Sequence, residues 1–61
     1  MKSLLELKDK RQLLKDELEQ MIVNAEHQER RLNDEENAAF EAKIQEIRSL
    51  DTEIENIEKK Y

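Results

Sequence analysis

Arg30-Arg31-Leu32-Asn33-Asp34-Glu35-Glu36 is the one stretch where a helical pattern that otherwise runs the length of the chain stops and starts again. Just upstream, Glu26 to Arg31 are six consecutive residues with no apolar side chain to offer a core. Asn33 followed by Glu36 has the spacing of a capping box, in which the N-cap side chain and the third helical residue satisfy each other's backbone amides. Asp34, Glu35 and Glu36 then place three negative charges at the positive end of a helix dipole. The stretch therefore closes one helix and opens another. It does so without Gly or Pro, since the chain has neither.

Toward the N-terminus, Ser3 and Glu6 repeat the capping-box spacing and mark the start of the first helix. Leu4, Leu7, Leu14, Leu18, Met21 and Ala25 follow alternating steps of three and four once Arg11 is admitted to one position of the line. Leu5, Leu13 and Ile22 are expected to widen that stripe, and Val23 to extend it near the helix end. Arg11 has two readings: a register-setting polar residue inside the seam, or a stem packed on apolar surface with its guanidinium reaching out to a carboxylate.

Toward the C-terminus, Phe40, Ile44, Ile47, Leu50, Ile54 and Ile57 continue as one helical face that reaches Tyr61, with Lys59 and Lys60 at the negative end of the dipole. Phe40 reads as a core aromatic rather than a recognition anchor. Glu6 with Lys10, Lys15 with Glu19, Glu26 with Arg30 and Glu55 with Lys59 are i,i+4 pairs expected to add a few tenths of a kcal/mol each.

The spacing thus predicts an all-α chain: one helical-hairpin domain over residues 1–61, with helix 3–28, loop 29–33 and helix 34–60. A link of about five residues favours antiparallel helices. The twelve seam residues named above are a small core for a chain this length, and a hairpin standing alone would bury too little to offset the entropy of ordering it. Self-association into a helical bundle, most simply two hairpins, is the expected remedy.

Composition narrows the function classes. Ala, Glu, Lys, Leu and Arg supply 35 of 61 residues, the signature of long helices and coiled coils. Charged residues reach 44%, which would suit a disordered tail, but the regular spacing of Leu and Ile argues against one. The net charge is −5, and residues 34 to 61 carry nine acidic against four basic groups, so no nucleic-acid partner is expected. The absence of Cys removes disulfides and thiolate metal sites. No apolar run suits a membrane span, and Met1-Lys2-Ser3 leads into no signal-peptide core, so a soluble, intracellular chain with no membrane partner is expected.

Little in the sequence points to catalysis. Asp16-Glu17 and Glu35-Glu36 are paired carboxylates, but acid and base roles in catalysis need burial, and these lie on solvated helix faces or at a helix start. His27 is the single histidine, and a Glu-x-x-His di-iron motif fails because Asn24 stands where Glu is needed. No catalytic, cofactor or metal residues are assigned, and Arg30-Arg31 reads as solvated charge beside a turn.

The run Arg30, Leu32, Asn33, Glu35, Glu36, Phe40, Ile44, Ile47, Leu50, Asp51 and Ile54, preceded by Leu7, Lys8, Lys10, Arg11 and Leu14, resembles the N-terminal region of tailed-phage major capsid proteins of the Hong Kong type. In that family the region is the delta or scaffolding domain. The resemblance covers essentially the whole chain. It implies a helical segment on the inner side of the procapsid, in the host cytoplasm. There the segment would associate with other capsid protein copies to promote assembly, and a maturation protease would then remove it. Many relatives carry Gly where Glu29 stands, a position suited to a left-handed residue, so Glu29 there either costs steric energy or forces a looser turn, with a longer helix one as the alternative. The capsid shell fold itself is absent from these residues.

Three functions follow as expectations. The first is the scaffolding segment, acting through the seam residues. The second is a generic coiled-coil oligomerisation or adaptor module. The third is an acidic helical inhibitor that binds a basic protein surface through its second half.

Overall fold

The computed structural model describes residues 3–60. It contains two helices, α1 over Leu4–His27 and α2 over Asp34–Glu58, packed against each other as an antiparallel hairpin with extents of 46 × 17 × 16 Å. The all-α hairpin expected from the spacing is what forms. Tyr61, read as the end of the second helical face, and Met1 and Lys2, read as leading into no signal-peptide core, lie outside the described residues.

Each helix begins on the cap the sequence indicates. Ser3 has an extended backbone, and its side chain accepts from the Glu6 amide at 3.1 Å. The return bond from the Glu6 carboxylate, needed for a full capping box, is not formed. Asn33 makes the complete box: its side chain accepts from the Glu36 amide at 2.8 Å, while Glu36 Oε1 accepts from the Asn33 amide at 3.0 Å. Helix boundaries shift slightly from expectation. Ser3 and Gln28 cap α1 from outside it, and α2 ends at Glu58 with Lys59 as its C-cap rather than continuing to residue 60.

The turn between the helices is built by backbone geometry. Glu29 adopts φ 52, the left-handed region, the Glu29 amide donates to Glu26 O at 3.0 Å, and the Arg30 amide donates to Ala25 O at 3.0 Å. That pair of bonds defines a Schellman motif, which satisfies the orphan carbonyls of a helix end. Glycine is favoured at its left-handed position; here a glutamate occupies it. The alternative of a longer first helix is therefore not taken, and α1 stops at His27.

The core is a short line of aliphatic side chains. Leu7 and Leu14 from α1 meet Ile47, Leu50 and Ile54 from α2, and Leu4, Leu18 and Ile57 pack on the edges half-buried. Ala25 is buried near the turn, apart from that cluster.

Candidate interaction surface

The hairpin presents a seam with two unlike halves. Toward the open end, Leu7, Leu14, Ile47, Leu50 and Ile54 are closed off from water. Toward the turn, Leu18, Met21, Leu32, Phe40 and Ile44 all remain half-buried, and Ala25 is buried. Met21, Phe40 and Ile44, expected in the core, are thus half-buried outside the packed cluster. The cause is local: a small Ala25 and a paired Glu17 and Lys43 take places along this part of the seam, leaving less apolar bulk to exclude water. Near the turn an open groove is lined by Ile22, Ala25, Glu26, Arg31, Leu32 and Asn37.

The widened stripe on α1 does not form. Leu5, Leu13 and Ile22 are 69%, 58% and 43% exposed. Leu13 and Ile22 are nine residues apart, which at about 100° per residue puts them on opposite sides of the helix. A single partner helix can cover one narrow seam, so apolar residues away from it stay in solvent.

Among the described residues, three ion pairs cross between the helices. Arg11 Nη1 lies 2.7 Å from Asp51 Oδ1, Lys43 Nζ lies 2.6 Å from Glu17 Oε2, and Lys8 Nζ lies 3.9 Å from Glu58 Oε1. Arg11 is half-buried beside the core with its guanidinium paired outward, which selects the second of its two readings. Of the four i,i+4 pairs expected, Glu55 with Lys59 is the one that closes among the described residues, at 3.1 Å. Arg30 does not pair with Glu26, although both line the groove near the turn.

Instead Arg30 bridges the turn. Its Nη1 and Nη2 donate to Glu36 Oε1 and Oε2 at 2.5 and 3.0 Å, its Nε donates to Gln28 Oε1 at 2.5 Å, and Nη1 also reaches Arg31 O at 3.2 Å. Bidentate arginine–carboxylate geometry is the strongest common form of charged hydrogen bond. The Arg30 hydrogen bonds, followed by the Asn33 amide, lower the Glu36 pKa to about 2. Glu36 thus serves the α2 cap and the turn at once. The spacing indicated the cap; the Arg30 contact had no local signal, since it depends on the left-handed residue at position 29.

Among the described residues no group of three or more His, Cys, Asp or Glu side chains is placed to hold a metal ion. No described helix is long and apolar enough to cross a membrane. His27 is exposed at the last position of α1. Searches of protein-family models, of curated proteins and of solved structures found no match to this chain.

Proposed function

We propose that this chain is a non-enzymatic assembly module that works by helix–helix association, and that it serves as the scaffolding segment of a phage major capsid protein. The observation that supports association most directly is the half-open seam: half-buried Met21, Leu32, Phe40 and Ile44 share one end of the hairpin with the groove beside Ile22. Association with a second copy through that end would remove this surface from water. Support for the capsid role comes from the resemblance in sequence, which spans both helices and the turn. In that role the hairpin would hold neighbouring subunits together inside the procapsid, and a protease would later remove it.

Sedimentation equilibrium over a range of protein concentrations tests the association, with Phe40→Asp as a variant that makes this surface polar while leaving the buried cluster intact. Oligomers that dissociate in the variant are the expected result, and monomers at every concentration would overturn the reading. The capsid role is tested by expressing the whole reading frame that carries these residues, with and without residues 3–60. Closed shells that require the segment support it. A parent lacking any shell-forming sequence removes the capsid role and leaves a general oligomerisation module.

A further inference from the structure

We propose that two copies of this chain exchange helices: the turn straightens, each chain becomes one continuous helix, and α1 of one copy pairs with α2 of the other in an antiparallel rod. The inference rests on the self-association part of the reading above and on no part of the capsid role.

Four observations converge on it. Glu29 holds a left-handed conformation that carries a steric cost for a residue with a Cβ, and straightening releases it. The chain has no Gly or Pro, so every residue of the turn is compatible with a helix. At about 100° per residue, the seams of α1 and α2 would coincide to within roughly 20° if the helix ran straight through, with Leu32 on the shared face. A loop that only reversed the chain would have no need to preserve that phase. Finally, the ion pairs Arg11 with Asp51 and Glu17 with Lys43 cross between the helices and would re-form between chains once the helices are exchanged, so the occupant best matched to an opened seam is a second copy.

The bonds that resist exchange are local to the turn. They are the Asn33 capping box and the two hydrogen bonds from Arg30 to Glu36. In the straight form Arg30 returns to i,i+4 spacing from Glu26, which replaces part of what is lost. The turn is therefore a hinge with strain on one side and capping on the other. Short hinges of that kind favour exchange of identical elements between protomers.

A chain bearing the substitutions Arg11→Cys and Asp51→Cys, in a protein otherwise free of cysteine, reports the exchange. After annealing at high concentration and mild oxidation, a non-reducing denaturing gel separates disulfides within a chain from those between chains. The pair Glu17→Cys with Lys43→Cys gives the same readout from the other side of the core, should the first lose helicity by circular dichroism. Exchange predicts covalent dimers in both pairs. They become severalfold more abundant with Glu29→Ala and severalfold scarcer with Glu29→Gly. Small-angle scattering should show a particle approaching about 85 Å, the length of some 57 residues at 1.5 Å each, against 46 Å for the hairpin.

Disulfides confined within chains at all concentrations, Glu29→Ala included, would overturn the exchange. If such samples still sediment as oligomers, the self-association reading stands; if they are monomers, it falls as well. Equal crosslinking in a chain with Arg11→Cys alone would also overturn the exchange, because it reports random collision.

Discussion

Glu29 is the residue at which the hairpin is least relaxed. Its Cβ crowds the backbone at φ 52, a conformation glycine adopts without penalty. Glu29→Gly should therefore stabilise the hairpin by about 0.5–1 kcal/mol, the steric relief being reduced by the extra freedom of glycine in the unfolded chain. A higher urea midpoint at unchanged slope is the expected sign, and a lower one would contradict it. Glu36 makes a second residue-scale prediction. Its pKa is lowered from 4.5 to about 2 by Arg30 and the Asn33 amide, so its contribution to stability is present above pH 4.5 and is lost as the pH falls toward 2. Glu36→Gln keeps a side chain able to cap but removes this titration. Its stability should decline less over that range, and matching pH profiles would refute the assignment. At the same cap, Asn33→Ala should cost about 1 kcal/mol by leaving the Glu36 amide without its acceptor.

At the scale of the elements, burial separates residues that look alike in sequence. Leu5 and Leu7 are two positions apart on α1, yet Leu7 is 2% exposed and Leu5 is 69% exposed. Leu7→Ala should cost about 2 kcal/mol or more, whereas Leu5→Ala should change stability by less than about 0.5 kcal/mol. Thermal melts of the two variants decide this, and equal losses would mean that Leu5 is covered by a partner. The cross-helix pair Arg11 and Asp51 retains 28% and 50% side-chain exposure. Solvent screening limits its coupling in a double-mutant cycle to about 0.5 kcal/mol, so its main effect is to set register. Both helices were legible in the sequence because caps and apolar period agree: Ser3 and Asn33 mark the starts observed. What the period did not reveal was depth. Met21, Phe40 and Ile44 share the seam with Leu14 and Ile47, yet they lie half-open because Ala25, Glu17 and Lys43 leave that end of the hairpin underfilled.

At the scale of the molecule, two helices joined by one turn provide a single interface among the described residues, where the buried cluster is five side chains. Such a core is small for a chain of 61 residues. Self-association would add burial, and because association is linked to folding, the Tm of the chain should then rise with protein concentration. A concentration-independent Tm in calorimetry would contradict this. The amino-acid sequence by itself determined that two amphipathic helices form, where each begins, and that a break near Arg30 divides them, because these depend on capping groups and on apolar spacing along a single helix. The tertiary structure decided the rest. The left-handed turn at Glu29, the transfer of Arg30 from Glu26 to Glu36, the pairing of Arg11 with Asp51, and the stranding of Leu5 and Leu13 in solvent all depend on where the second helix lies. Periodicity names the face a residue shares, whereas burial and charge pairing depend on what stands opposite it.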